Sequence, residues 1–280
     1  MQRLLLIGTL AAAGCGGSLS HRSVDNVRAA VPLAPEIRRV RLELANCTIG
    51  VVPPEHASGQ KEVAYRGGVR RAADSADDLA RLEQVPTTLT VVAGGPPDTL
   101  TLRGPQLPAG TSGLIAFEAD VLVPAGLELE VAVAENGHVT LEDRAARSIV
   151  TTGRGDLRFG RCAGGIEART GRGTVIVFGH RGDLDVQTMV GDVNAFVAEP
   201  GERIRLTTGK GTVQCHVPAS IEFEVDARAE VGRVGNGFGL DVQSIGDFGA
   251  ALVGRRGAGT TAVVLRTGSG RISFTPRKAD

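Results

Sequence analysis

The sequence predicts an all-β chain: a parallel β-solenoid, expected to be right-handed, behind a β-rich N-terminal cap that holds one short helix. Three observations predict it. The first is an internal repeat. Thr152-Gly153-Arg154-Gly155, Thr170-Gly171-Arg172-Gly173, Thr188-Met189-Val190-Gly191 and Thr208-Gly209-Lys210-Gly211 place their last glycines at steps of 18, 18 and 20 residues. Thr267-Gly268-Ser269-Gly270 repeats the unit, and Asn136-Gly137 is a degenerate earlier copy. The second is the flanking pattern. Leu157/Phe159, Val175/Val177, Val193/Ala195, Val213/Cys215 and Ile272/Phe274 follow the turns, and Ile166/Ala168, Leu184/Val186, Ile204/Leu206 and Val263/Leu265 precede them. Period-2 alternation puts each set on one strand face, and stacked units align the sets into columns. The third is composition: 39 glycines, 42% hydrophobic and only 3% aromatic residues favour short strands closed by glycine turns.

In chain order, residues 1–14 read as a lipoprotein leader. Arg3 supplies the positive end, and Leu4 to Ala13 form an apolar stretch too short to span a bilayer as a helix. Ala12-Ala13-Gly14-Cys15 has lipobox spacing, which makes Cys15 the lipid-attachment residue; cleavage near Ala13 with an incidental Cys15 is the alternative. Gly16 in place of Asp points to outer-membrane sorting of the anchored chain. Residues 15–38 read as a flexible tether, 39–130 as the cap with the first coils, and 131–276 as the repeats. Strands are expected at 40–44, 49–51, 63–71, 88–93, 99–103 and 117–123. A helix through Ala76, Leu79 and Leu82 would be capped by Asp74 or Ser75. The corner threonines are expected to point inward and bond backbone. Glu167, Asp185 and Arg205 are expected to share one exposed column. Val225–Gly259 leaves the regular spacing, so its register is open.

The lipobox, the strand-helix-strand opening, the Phe117–Leu129 stretch through Val-Pro-Ala-Gly and the Thr-Gly-x-Gly units together resemble the bacterial adhesin-like β-solenoid lipoprotein family, a domain of unknown function. The likeness covers residues 38–276 and implies fold far more than function. It implies a non-enzymatic envelope protein, held to the membrane by its lipid, whose partner is an envelope protein or a surface glycan. A periplasmic partner in envelope-stress signalling and a polysaccharide-active β-helix enzyme are the alternatives.

Other chemistry finds little support. Net charge is zero from 31 basic and 31 acidic residues, which gives nucleic acid no electrostatic footprint. Arg154-Gly155-Asp156 and Arg181-Gly182-Asp183 spell an integrin-type tripeptide, yet turns alone account for glycine between exposed charges. Gly209-Lys210-Gly211-Thr212 lacks the earlier glycine of a phosphate loop, since position 204 is Ile. His56, His138, His180 and His216 are scattered, and Cys47, Cys162 and Cys215 show no zinc spacing. Those cysteines read as small core or turn residues, with one disulfide possible. Catalytic, metal and cofactor residues are therefore expected to be none. The acidic residues an enzyme would have to gather are Asp156, Asp183, Asp185 and Asp192.

Overall fold

The computed structural model describes residues 19–53 and 62–277. Cys15 and the leader lie outside these residues. Among them the chain is nearly all β, with one helix.

The first strands are β1 (His21–Pro32), β2 (Arg39–Val52) and β3 (Glu62–Ala73), followed by α1 (Ala76–Glu83). β1 corrects the expected tether. It pairs antiparallel with β3 in unbroken register from His21↔Ala73 to Pro32↔Glu62. Val27 is the buried residue of β1, with Ala29 and Val31 partly buried on the same face, so its apolar alternation is short and weak. What fixes it is polar. Asp25 pairs with the buried Arg71, whose guanidinium also donates to the carbonyls of Leu82 at 2.7 Å and Val85 at 2.9 Å. Ser75 caps α1 by accepting from the Asp78 N–H at 3.1 Å. Leu82 is the helix's buried residue.

Next come β4 (Thr90–Val91), β5 (Thr99–Arg103), β6 (Leu114–Leu122) and β7 (Glu128–Glu142). β4 is far shorter than the expected 88–93 strand. β2 and β7 each run through two legs that stack in parallel. Their first legs match Val40↔Leu129 and Leu42↔Val131; their second legs match Ile49↔Val139 and Val51↔Leu141. The register slips once between the legs, at Asn46 beside Asn136.

The repeats form β8 (Ser148–Arg154), β9 (Leu157–Gly160), β10 (Ile166–Arg172), β11 (Val175–Val190), β12 (Val193–Lys210) and β13 (Val213–Val217). First legs align as Ile166↔Leu184, Leu184↔Ile204 and Ala168↔Val186, Val186↔Leu206. Second legs align as Leu157↔Val175, Val175↔Val193 and Val193↔Val213. Every residue in these columns is buried. Glu167, Asp185 and Arg205 share one outward column, as expected. Because β7 and β11 contribute to both ladders, β7, β8, β10, β11 and β9 close a parallel ring.

The irregular stretch resolves into β14 (Phe223–Asn236), β15 (Gln243–Ile245) and β16 (Gly249–Arg256), before β17 (Thr261–Pro276). β17 lies between β12/β13 on one side and β14 on the other, parallel to both. The last two units are thus stacked in reverse chain order. That explains the long interval before Gly270, because β14 and the antiparallel β15–β16 hairpin beyond it intervene in sequence but not in space.

The corners show why Thr and Gly recur. Thr170, Thr188 and Thr208 donate their hydroxyls to the carbonyls of Gly155, Gly173 and Gly191 in the preceding unit, at 3.2, 3.3 and 2.8 Å. Gly211 has φ +147°, and a Cβ there would sit 2.1 Å from the Gly191 oxygen. No side chain fits that approach.

Candidate binding face

Along the second legs, the residue after each buried Leu141, Phe159, Val177, Ala195, Cys215 and Phe274 faces outward. These residues are Glu142, Gly160, Phe178, Phe196, His216 and Thr275, in register. Three consecutive rungs are aromatic. Phe178 and Phe196 have ring centroids 6.1 Å apart, tilted by 54°. Phe196 and His216 stack at 4.4 Å and 9°. The His216 Nδ1 lies 2.8 Å from the Thr275 hydroxyl. Phe178 is 60% exposed, and its neighbour on the preceding rung, Gly160, sets no side chain against it. Partial burial holds the His216 pKa below its ordinary value.

Beside this row runs a second outward column of Arg158, Ile176, Asn194, Gln214 and Ser273. At the Gly160 end, Arg161 forks onto Asp143 at 2.7 and 2.8 Å and reaches Glu142 at 3.1 Å. This fork raises the Arg161 pKa and holds Asp143 below the usual carboxylate range. The face is therefore a shallow aromatic strip between amide side chains and one ion-paired cluster.

The acidic residues singled out by sequence are not brought together. Asp156 accepts the Thr174 N–H at 2.8 Å, Asp192 the Thr212 N–H at 2.7 Å, and Asp183 the Arg203 N–H at 3.0 Å. Each ties one unit to the next. Asp156 and Asp183 are the acids of the two Arg-Gly-Asp tripeptides, so those acids have structural work. Among the described residues no group of three or more His, Cys, Asp or Glu is placed to hold a metal ion. Cys47, Cys162 and Cys215 are buried, free thiols. Burial pushes Cys47 and Cys215 up to about 12. His180 is fully buried, with Nδ1 3.0 Å from the Cys162 carbonyl and Nε2 2.9 Å from the Asp183 carbonyl.

The aromatic row was legible in principle. Phe178, Phe196 and His216 each fall five residues after a corner glycine: Gly173, Gly191 and Gly211. Comparing the repeats at outward positions, and not only at inward ones, would have found it.

Among the described residues no helix is long and apolar enough to cross a membrane. The chain matches no protein-family model and no curated protein. Among solved structures it is similar to a "putative cell adhesion protein" of Clostridium sporogenes, with 13% identity and a TM-score of 0.38 over 90% of this chain and 100% of that one. A "putative adhesin" of Bacteroides fragilis is similar at 9% identity and a TM-score of 0.35, over 90% and 97% of the two chains. Another from Parabacteroides distasonis follows at 11% and 0.31, over 89% and 97%.

Proposed function

We infer that this chain is a non-enzymatic, lipid-anchored envelope protein. Its stacked two-legged units form a parallel β-solenoid that presents a binding face, in the manner of an adhesin. The observation that carries this reading is the outward row Phe178–Phe196–His216. Phe178, exposed on a rigid strand face, loses the benefit of burial unless a partner covers it, and the half-buried Phe196 and His216 continue the same row. Phe117, Phe159, Phe223 and Phe274 are all buried, so the outward row stands apart from the core rings. The cross-unit bonds of Asp156, Asp183 and Asp192 support a scaffold over a catalytic groove. Cys15 would supply the anchor, and the outer membrane is the location we propose for it.

The test is retention of the purified protein on intact bacterial cells. Phe178→Ser together with Phe196→Ser should lower retention severalfold while the far-ultraviolet spectrum and melt stay near the parent's. Equal retention by parent and variant would sink the assignment of this face. In a lipoprotein-competent bacterium, Cys15→Ser should move the protein from the membrane to the soluble fraction.

A further inference from the structure

A second surface runs along the corner where first legs turn into second legs. The residue before the last glycine of each corner forms one column in register: Arg154, Arg172, Val190, Lys210, Ser269 and Val231. All six are exposed. In-register stacking spaces successive rungs by about 4.8 Å, so the column runs straight for roughly 24 Å. Phe248 extends it. The Gly155 N–H donates to Arg172, Gly173 to Val190, Gly191 to Lys210 and Gly211 to Ser269; in the same way Gly232 donates to the Phe248 carbonyl at 2.8 Å. Phe248 thus takes the column's place at the end of the stack, and it is 74% exposed.

The chemistry of this corner is basic and apolar together. The side chains of Arg154, Arg172 and Lys210 make no ion pair or hydrogen bond among the described residues. The adjoining column adds Arg271 and Arg233, paired with each other in register and both exposed. The acids along the corner include Glu135, Asp156, Asp192, Glu230 and Asp247; Asp156 and Asp192 are bonded to backbone N–H groups of the next unit. Between the cations stand Met189 (67% exposed), Val190 (40%) and Val231 (51%).

We propose that this corner ridge docks on an anionic lipid surface. The ridge is an exposed row, and the cavity at its Arg154 end, lined by Ala134, Glu135, Asn136 and Gly153, leaves out the rest of the row. A bilayer can accept a straight exposed edge, with cations at the headgroups and Phe248, Val231, Val190 and Met189 entering the interface. Like charges at Arg154 and Arg172 on successive rungs repel one another in the free protein and are neutralised by such a surface. The ridge shares no residue with the Phe178–His216 face, so the two assignments stand or fall separately.

The experiment uses the full chain, kept unacylated as Cys15→Ser, and flotation with phosphatidylcholine vesicles containing or lacking phosphatidylglycerol. Binding should be severalfold stronger on the anionic vesicles and should weaken with added salt. Arg154→Gln/Arg172→Gln/Lys210→Gln should reduce it by about tenfold or more, given the strength of single cations at anionic bilayers. Phe248→Ser should reduce it further. Arg205→Gln, an exposed charge on the first-leg face, should change it less than about twofold. Vesicle binding by the triple variant equal to the parent's, or an equal loss in Arg205→Gln, overturns the proposal. So does ridge-dependent binding to soluble alginate with no vesicle binding, which would make the ridge a polysaccharide site.

Discussion

The Thr208 hydroxyl donates to the Gly191 carbonyl at 2.8 Å, and both groups belong to corners of successive units. Thr267 makes the same bond to Gly211 at 3.0 Å. Thr208 is 1% exposed, so water cannot replace its bond. Thr208→Val keeps the shape and removes the donor. It should cost about 1–2 kcal/mol, the usual penalty for stranding a buried acceptor. Urea melts give the number directly, and an unchanged midpoint would show that the threonine ladder is incidental.

Gly211 and Gly246 both have positive φ, at +147° and +57°, but different surroundings. A Cβ at Gly211 meets the Gly191 oxygen at 2.1 Å, whereas one at Gly246 meets nothing within 4 Å. Gly246→Ala should therefore cost about 1 kcal/mol, from backbone conformation alone. Gly211→Ala should cost more than about 3 kcal/mol, because two units must be pushed apart. Matched thermal melts of the two variants test the contrast. Similar midpoints would mean the corners tolerate separation.

The repeat units were legible because two constraints coincide in each: a glycine where backbones touch, and inward residues in period 2. β1 was not, since its placement depends on Asp25 reaching Arg71, a partner far away in sequence. The reversed order of β14 and β17 was also hidden. The two strands carry the same inward pattern, Val225/Ala227 and Val263/Leu265, so either would fit beside β12. Asn194 shows a finer limit. Alternation points it outward, yet it is half-buried and its Oδ1 has no partner. Neighbouring side chains on an outward face can cover one another, as Phe178 and Phe196 do, and a single strand's pattern does not report that. The outward row Phe178–Phe196–His216 is hidden because alternation marks inward positions and treats outward ones alike.

Val175 and Val193 lie opposite one another in adjacent units and are both fully buried. Val193→Asp would place a carboxylate among Val175, Val213 and Ala195, none of which can pair with it. The expected loss is several kcal/mol. Arg158→Gln, on the outward side of the neighbouring unit, should stay within about 0.5 kcal/mol. Denaturant midpoints that coincide for these two variants contradict the register.

The buried thiols give a probe of the folded state. Cys47 and Cys215 are held up to about 12, so almost no thiolate forms at neutral pH. Native protein should react slowly with a water-soluble disulfide reagent at Cys47, Cys162 and Cys215, and quickly in guanidinium. Rapid native labelling at Cys215 would mean that the β12/β13/β17 stack opens locally.

Two histidines should make stability depend on mild acid. Burial lowers the pKa of His180, outweighing its contacts with the Cys162 and Asp183 carbonyls, and burial also lowers that of His216. A lowered folded value means that the unfolded chain takes up the proton first. Between the unfolded value of about 6.5 and the lower folded value, unfolding is therefore favoured as pH falls. Stability should be highest above about pH 7 and decline as pH drops towards 5. The ion-paired carboxylates Asp143, Glu167 and Asp226 have depressed values, so their contribution persists through this window and is lost only at more acidic pH. His216→Gln removes one of the two histidines from a half-buried position. It should flatten the fall in melting temperature between pH 7.5 and 5.5, leaving the part due to His180. A melting temperature that stays level for the parent across this range, or rises with acid, would show that the histidines keep their protons in the fold.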